Sequence, residues 1–300
     1  MNMIQFLGAV EMGLLFGLVA MGVLLSFRIL DFPDLTVDGS YPLGAGVCAV
    51  LIVSGYNPWV ATLVAVGAGM IAGFITAWMS VRWNVLHLLA SILTLTALYS
   101  INLRIMGKPN IALLGESTVF SPIEALPYSH LYVMTPAILV LVGIVLFVLK
   151  GFLGSQQGLA MRATGANLRM AEAQGISVKT QTLLGLSISN GLVALAGALF
   201  AQSQGFADVT MGTGTIIVGL ASVIVGEAIF NPRIICTALI SCVIGSIFYH
   251  LVMAMAMNAG CLGLQASDLK LISAVLVGIA MMVPALRTKV LDFKAARSCS

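Results

Sequence analysis

Long uninterrupted apolar runs recur along the whole chain. A helix needs about 20 apolar residues to cross a bilayer, and runs of that order lie near 4–27, 58–80, 84–106, 131–149, 180–202, 212–230, 234–257 and 267–284. A shorter ninth run follows Gly39 and ends near Ser54. Because the runs are continuously apolar rather than alternating, they favour helices over the strands of an outer-membrane barrel. The sequence therefore predicts an all-α integral membrane protein.

The scarcity of charge agrees with this prediction. Only 8 % of the 300 residues are charged and 60 % are hydrophobic, whereas a soluble domain carries roughly 25 % charged residues. A chain of this composition has to place most of its exterior in lipid. Soluble enzymes, disordered chains, secreted disulfide scaffolds and free nucleic-acid binders are thereby excluded.

The placement of the basic residues predicts an orientation. Nine spans with the N-terminus outside put every Lys and Arg except Arg104, Lys108 and Lys270 on the cytoplasmic side, as the positive-inside rule requires. In the rival arrangement the short run after Gly39 is re-entrant, eight full spans remain, and Arg28 moves outside. Charge does not separate the two arrangements. Both leave the C-terminal tail, residues 286–300, in the cytoplasm.

Two stretches of the chain are similar to each other. Gly-Leu-Val-Ala at 17–20 recurs 174 residues later at 191–194, and Phe32, Asp34 and Thr36 match Phe206, Asp208 and Thr210. A chance match between two apolar helices is the alternative. If the repeat is real, its copies begin five spans apart and run in opposite directions, with the substrate route between the halves. This inverted repeat favours nine spans and divides one transmembrane domain, 1–300, into halves 1–149 and 180–285.

Glycine spacing marks two helices for close packing. Gly13 and Gly17 form one G-x-x-x-G pair, and Gly69 and Gly73 form another. Such pairs let two helix backbones approach closely. We expect each pair to contact a neighbouring helix rather than a solute.

The segment between the halves, residues 150–179, is long for a connection inside a bundle. Its composition predicts two short helices that break at Gly165, the second of them capped by Asn167 or Thr164. Arg162 and Arg169 are seven residues apart, which places them on nearly the same side of a helix. One interpretation is a solvated amphipathic loop. The other is a helix that inserts into a groove of a partner protein.

This segment carries a resemblance. Gly158, Arg162, Ala163, Gly165, Asn167, Ala171, Gly175 and Ile176 resemble the cytoplasmic coupling loop of the permease subunits of bacterial ABC importers of the branched-chain amino acid and ribose type. The segment 16–47 looks like the first helix and hairpin of that family, with Thr-Val-Asp-Gly-Ser at 36–40 in place of the usual Asn-Phe-Ala-His-Gly type sequence. The stretch 92–111 is similar to a less characterised subfamily, whose binding proteins often recognise amino acids, including aromatic ones.

The resemblance implies a type II ABC importer-like permease in the bacterial inner membrane. Its partners are then two cytoplasmic ATPase subunits, a second permease subunit in a homodimer or heterodimer, the homodimer being favoured, and an extracytoplasmic binding protein. The solute is a small organic molecule, with an amino acid as the best candidate. Contact with the ATPase is assigned to Gly158, Arg162, Ala163, Gly165, Asn167, Arg169, Ala171, Glu172 and Gly175.

The chain has no phosphate-binding loop of its own. A G-x-x-x-x-G-K-[ST] motif cradles ATP phosphates, but the only Gly-Lys pair here, Gly107-Lys108, is followed by Pro109. We therefore expect no catalytic residue and no cofactor in this chain, with ATP and Mg²⁺ bound by the partner ATPase. His87, His130 and His250 are too scattered to predict a metal site.

A competing class is a proton-coupled secondary transporter. Glu11 and Glu227 lie within or near the ends of spans, where ionisable groups are costly and often functional. Glu227 also has Arg233 as a predicted partner across a short turn. A purely structural membrane subunit is a third alternative.

Polar residues within the spans are candidates for the substrate pathway. His87, Ser91, Thr94 and Asn102 form one stripe along their helix. Ser and Thr that bond back to their own helix are the alternative explanation. The pathway candidates are Ser91, Thr94, Asn190, Asp34 and Asp208.

Overall fold

A computed structural model describes residues 3–121, 130–230 and 234–258, together with 275 and 278. The helices are α1 (Met3–Val23, continued by a π-helical segment, Leu24–Ile29), α2 (Val37–Val53), α3 (Pro58–Trp83), α4 (His87–Met106), α5 (His130–Gly154), α6 (Gln156–Ala166), α7 (Leu168–Ala173), α8 (Val178–Gln204), α9 (Thr215–Phe230) and α10 (Ile235–Asn258). Two short strands, β1 (Asn110–Ala112) and β2 (Phe206–Asp208), pair in antiparallel fashion, and a 3₁₀ helix (Val209–Gly212) follows β2.

Seven of these elements are long and apolar enough to cross a membrane within the described part of the chain. They are Met3–Ile29, Pro58–Trp83, His87–Met106, Met134–Gly154, Val178–Gln204, Val209–Phe230 and Ile235–Met257. Each matches a predicted run, so the all-α membrane protein is confirmed. The predicted run 267–284 and the tail 286–300 lie outside the described residues, apart from 275 and 278. The count of nine spans stays a prediction.

Local sequence signals set several helix ends. The side chain of Asn57 accepts a hydrogen bond from the Trp59 backbone N–H at 2.9 Å, and Pro58 occupies the first turn of α3, where its missing N–H costs nothing. Gly107 and Gly205 end α4 and α8 in the left-handed conformation, with φ of 64° and 76°. That conformation is readily adopted only by glycine.

The helices α1 and α8 form the centre of the bundle. Both are mostly buried, and they pack against each other. Around them, α3 and α2 pack on α8, whereas α10 and α9 pack on α1. The remaining spans α4 and α5 lie further out and expose more of their surface, which suits contact with lipid.

The two glycine pairs lie at helix crossings. A Cβ added at Gly13 would fall 2.6 Å from the Ile247 Cα of α10, and one added at Gly17 would be 3.5 Å from the Val243 Cα. On α3, a Cβ at Gly69 would lie 2.6 Å from the backbone oxygen of Asn190 on α8. The prediction that both pairs serve helix packing is confirmed.

Two helices, α2 and α9, begin beside each other inside the bundle. The first turn of α2 is level with the middle of α4 and α8, since a Cβ at Gly39 would meet Leu98 and Ser40 bonds to Asn190. The first turn of α9 lies against this same turn of α2 through hydrogen bonds to Asp38. From this shared point α2 runs toward the end that carries β1 and β2, and α9 runs toward the end that carries α6 and α7. The short run after Gly39 is thus a helix that runs in one direction from the bundle interior.

Candidate coupling and translocation sites

The segment that resembles a coupling loop folds into the two short helices α6 and α7. Ser155 caps α6 by accepting from the Gly158 N–H at 3.4 Å. Asn167 ends α6 and caps α7 by accepting from the Met170 N–H at 3.1 Å. The cap by Asn167 is therefore confirmed, but the break falls at Asn167 and not at the predicted Gly165. Arg162 and Arg169 consequently lie on different helices, so the spacing within a single helix does not apply to them.

Gly165 lies inside α6, at a point where the helix closely approaches the π segment. A Cβ at this position would overlap the carbonyl oxygen of Ile29 and lie 3.0 Å from the Leu30 Cα. Gly158 likewise faces the backbone of Leu153 at the end of α5. The two glycines allow α6 to lie directly on the π segment and on α5.

The opposite surface of α6 and α7 is open. Of the predicted ATPase-coupling set, Gly158 and Ala171 are buried and Ala163 and Gly165 are half-buried, and Met161 and Thr164 between them are buried as well. The exposed members of the predicted ATPase-coupling set are Arg162, Asn167, Arg169, Glu172 and Gly175. Three large apolar side chains, Leu159, Leu168 and Met170, are exposed beside them. This combination of apolar side chains and arginines is typical of a protein-docking surface.

An ion pair joins the π segment to α9 next to this surface. Arg28 Nε lies 3.1 Å from Glu227 Oε1. The predicted partner of Glu227, Arg233, lies outside the described residues. Because Gly165 contacts Ile29, the coupling segment, the π segment and the end of α9 form one continuous set of contacts.

Two of the predicted pathway residues belong to a buried polar cluster. Asn190 Nδ2 donates to Asp34 Oδ2 at 2.6 Å, and Ser40 Oγ donates to Asn190 Oδ1 at 2.6 Å. The Thr36 N–H donates to Asp34 Oδ1 at 2.9 Å, and the hydroxyls of Thr36 and Thr76 are 2.9 Å apart. All five side chains are fully buried. The cluster ties the start of α2 to α3 and α8.

The other predicted pathway residues of the membrane interior lie on the buried face of α4. Ser91 Oγ donates to the Leu88 carbonyl at 2.9 Å, and Thr94 Oγ1 donates to the Ala90 carbonyl at 3.0 Å. Both hydroxyls thus bond back to their own helix. Asn102 differs from them, because its Nδ2 donates to the Gly39 carbonyl of α2 at 3.3 Å.

Asp208 lies apart from this group, at the end of β2. Its Oδ1 accepts from the N–H and the hydroxyl of Thr210, at 2.7 and 2.6 Å, and Oδ2 accepts from Asn110 Nδ2 at 3.3 Å. The hydrogen bond from Thr210 is the main reason why the pKa of Asp208 is lowered from 3.8. Asp208 therefore caps the 3₁₀ helix and holds it to the strand pair.

The cap at Asp208 gives a prediction with a defined pH dependence. Asp208→Ala should lower the free energy of unfolding by about 1 kcal/mol or less, because the side chain is only partly buried. A lowered pKa means that the ionised carboxylate stabilises the fold above the ordinary Asp pKa and loses this effect as the pH falls through the folded-state pKa. The difference from wild type should thus be constant between about pH 5.5 and pH 8 and shrink below about pH 4. Thermal unfolding in detergent at these pH values measures it; a difference that grows on acidification would contradict it.

One charged residue of the bundle interior was not among the predicted site residues. Asp38 Oδ1 accepts from the Ile216 N–H at 2.7 Å, and Oδ2 accepts from the Gly214 N–H at 3.2 Å. The carboxyl group of Asp38 therefore caps α9 from the first turn of α2. The sequence did carry a signal, since Asp38 lies where the chain departs from the family's usual Asn-Phe-Ala-His-Gly type sequence.

Comparisons with known proteins agree with this architecture. A family model described as "Branched-chain amino acid transport system / permease component" matches residues 6–287. A tyrosine transport system permease protein of Clostridioides difficile is 38 % identical over 268 residues, which cover 88 % of this chain and 86 % of that protein. An uncharacterized protein of Rickettsia prowazekii is also 38 % identical, over 91 % of this chain and 95 % of its own length.

More distant similarity extends to another import system. The autoinducer 2 import system permease protein of Salmonella paratyphi B is 29 % identical over 63 % of this chain and 55 % of that protein. No solved structure gives a significant match. The family model covers nearly the whole chain, and the apolar helices supply the membrane spans that a permease needs. The chain therefore belongs to the permease components of the branched-chain amino acid transport systems, a family of multi-pass inner-membrane subunits of ABC importers.

Proposed function

We propose that this permease translocates an amino acid, with tyrosine as the first candidate, in an importer driven by separate ATPase subunits. The observation that carries the proposal is the 38 % identity to a tyrosine transport system permease over most of both chains. An extracytoplasmic binding protein delivers the solute. ATP and Mg²⁺ bind to the ATPase subunits, because this sequence has no G-x-x-x-x-G-K-[ST] motif. Two copies of the permease form the membrane part.

The ATPase docks on the open surface of α6 and α7. Arg162 and Arg169 provide donors for acidic groups of the partner, and Leu159, Leu168 and Met170 provide exposed apolar contacts. A movement of α6 shifts the π segment through the contact of Gly165 with Ile29. The ion pair of Arg28 with Glu227 then moves α9 together with the π segment. Closure of the ATPase subunits then moves both halves of the permease about the shared pathway.

An inverted repeat accounts for how the halves pack. At the repeat offset of 174 residues, Gly73 corresponds to Ile247 and Gly13 corresponds to Ser187. Gly13 faces Ile247, and Gly73 faces Leu186 and Asn190, on either side of Ser187. The same offset therefore maps the crossing of α1 with α10 onto the crossing of α8 with α3.

A second correspondence involves the turns that follow α1 and α8. Asp34 accepts from the Thr36 N–H at 2.9 Å, and Asp208 accepts from the Thr210 N–H at 2.7 Å. Each turn leads into one of the short helices, α2 or α9. These matches favour the nine-span arrangement with the N-terminus outside. In this orientation α6 and α7 lie in the cytoplasm and the strand pair lies outside.

The pathway candidates take unequal places in this scheme. Asp34 and Asn190 hold α2 against α8, so that they act by positioning the helices that border the route. Ser91, Thr94 and Asn102 lie on the buried face of α4, where Asn102 contacts α2 and Thr94 borders a pocket with α3. Asp208 lies near the outer entrance, where the binding protein approaches.

An uptake assay tests the choice of solute. The permease is expressed with its ATPase and its binding protein, in cells that lack their own aromatic amino acid uptake. We expect accumulation of labelled tyrosine that unlabelled tyrosine suppresses and that a large excess of leucine does not. Uptake of leucine with no uptake of tyrosine would overturn the choice of solute while leaving the permease function intact.

A further inference from the structure

A small cavity lies where α2, α4 and the start of α9 meet. Its volume is about 170 Å³, and its lining residues are Asp38, Gly39, Pro42, Leu95, Tyr99, Asn102, Val209, Thr213 and Gly214. The cavity lies beside the interior starting points of α2 and α9. In membrane transporters, solutes and coupling ions bind at such interruptions of spanning helices, where helix N-termini favour anionic groups. In this cavity the carboxylate of Asp38 already takes that place at the N-terminus of α9.

The side chain of Asn102 lines this cavity and carries an acceptor without a hydrogen-bond partner among the described residues. Asn102 is 2 % exposed, and this acceptor is its Oδ1. Its Nδ2 donates to the Gly39 carbonyl, which fixes the amide orientation and leaves Oδ1 as the free atom. A buried acceptor without a donor is destabilising. A ligand that donates a hydrogen bond would remove that cost.

The charge of the lining adds to this preference. Asp38 is its one charged residue, and the lining contains no Lys or Arg. Its carboxylate oxygens each accept one backbone N–H, which leaves lone pairs for a further donor. A carboxylate and a free amide oxygen together favour a cationic donor such as a primary ammonium group.

The rest of the lining is apolar and opens beside an aromatic ring. Leu95, Pro42 and Val209 line the cavity, and Tyr99 is 52 % exposed. A cavity of this volume takes the head group of a small molecule but not a whole aromatic amino acid, since complete ligand pockets have about 300–1,000 Å³. An aromatic body would therefore extend outward along the ring of Tyr99, which offers a stacking surface.

We infer that this cavity is a recognition site for the ammonium group of the transported solute, with Asn102 and Asp38 as the acceptors and Tyr99 against the aromatic body. This inference rests on the proposed function and adds the solute contacts within the permease. It also gives the membrane subunit a selectivity of its own, for solutes with an ammonium group, after the binding protein has released them.

Binding to the permease–ATPase complex in nanodiscs without the binding protein tests the inference. The probes are L-tyrosine, tyramine and 3-(4-hydroxyphenyl)propionate, which carry both charged groups, only the ammonium group and only the carboxylate. Saturation-transfer NMR measures their affinities. We expect tyrosine and tyramine to bind alike and the propionate to bind about tenfold more weakly or worse, because it lacks the charged donor.

Variants locate the binding site. Asn102→Leu removes the free acceptor and should weaken tyramine binding about tenfold. Thr96→Val is the matched control, because Thr96 is on the same helix, is exposed, and bonds only to the Leu93 carbonyl among the described residues. Tyr99→Ala, at an exposed position that tolerates truncation, should weaken tyrosine and tyramine equally. It keeps the test valid if Asn102→Leu does not fold.

The outcomes separate this inference from the proposed function. The inference is overturned if wild type binds none of the probes, if the propionate binds as well as tyramine, or if neither variant changes tyramine binding. Wild-type uptake with the binding protein present is measured in parallel. Uptake that persists in any of these cases leaves the proposed function standing, whereas loss of ATP-driven uptake by wild type contradicts the proposed function itself.

Discussion

Gly165→Ala should reduce ATP-driven uptake by about tenfold or more. The added methyl group would overlap the carbonyl oxygen of Ile29, a backbone atom that cannot rotate away. The helix α6 must then move off the π segment, and such overpacking costs about 1–3 kcal/mol. A cost of about 1.4 kcal/mol lowers the equilibrium constant for the coupled arrangement tenfold. Because α6 carries the proposed ATPase-docking surface, we expect weaker co-purification of the ATPase together with the loss of uptake.

Gly151→Ala is the matched control for this variant. Gly151 lies in α5 near the same end of the bundle, and a Cβ there would meet nothing within 4 Å. The substitution should leave uptake unchanged and stabilise the helix slightly, since Ala is the better helix former. Normal ATPase co-purification and normal uptake in Gly165→Ala would contradict the coupling role. Equal losses in both variants would point to general damage at this end of the bundle.

Asn190→Ala should destabilise the folded permease more than other polar substitutions in the bundle. It removes the donor to Asp34 Oδ2 and the acceptor of the Ser40 hydroxyl at once. The carboxyl group of Asp34 is fully buried and, among the described residues, would keep only the hydrogen bonds from Thr36. Leaving such a group poorly bonded costs about 2–4 kcal/mol, which lowers the Tm in detergent by roughly 5–10 °C.

A double-mutant cycle tests whether the two side chains act as a pair. The loss in free energy of unfolding for Asp34→Ala combined with Asn190→Ala should be clearly smaller than the sum for the single variants. In each single variant one buried side chain has lost its partner, whereas the double variant contains neither side chain. Ser187→Ala is the control, since this buried hydroxyl on α8 bonds only to the Leu183 carbonyl of its own helix among the described residues. It should cost well under the loss in Asn190→Ala. Additive losses at Asp34 and Asn190 would contradict the pairing.

The spans were predictable because the bilayer imposes a length and a composition on each of them. Runs of about 20 apolar residues need no knowledge of neighbours to be recognised. The glycine pairs on α1 and α3 were predictable for a similar reason, since small residues at one-turn spacing permit close backbone contact whatever the partner helix is. The cap at Asn167 followed from local chemistry alone.

Other features depended on contacts between distant parts of the chain. The sequence predicts a helix break at Gly165. The residue is instead inside α6, and a glycine is needed there because the backbone of Ile29 leaves no room for a Cβ. Pairing of Glu227 with Arg28 joins residues 199 positions apart, so the nearby Arg233 was the only partner that spacing could suggest. The role of Asp38 likewise depends on distant residues, since its partners Gly214 and Ile216 come from the other half.

Three members of the polar stripe on α4, Ser91, Thr94 and Asn102, are buried, whereas His87 is exposed, and the buried members differ in chemistry. The hydroxyl groups of Ser91 and Thr94 donate to carbonyl groups one turn earlier in their own helix. Asn102 bonds to α2 instead. Spacing alone predicts a shared face, whereas the free acceptor of Asn102 is a property of the assembled bundle.

We propose that a separate ATPase powers transport through this permease. This claim is tested most directly by reconstituting the permease in proteoliposomes with its ATPase and binding protein and measuring tyrosine uptake. Uptake should require ATP, persist when a protonophore collapses the proton gradient, and disappear when the ATPase is omitted. Uptake that continues without the ATPase and stops with the protonophore would contradict the claim and establish a proton-coupled transporter.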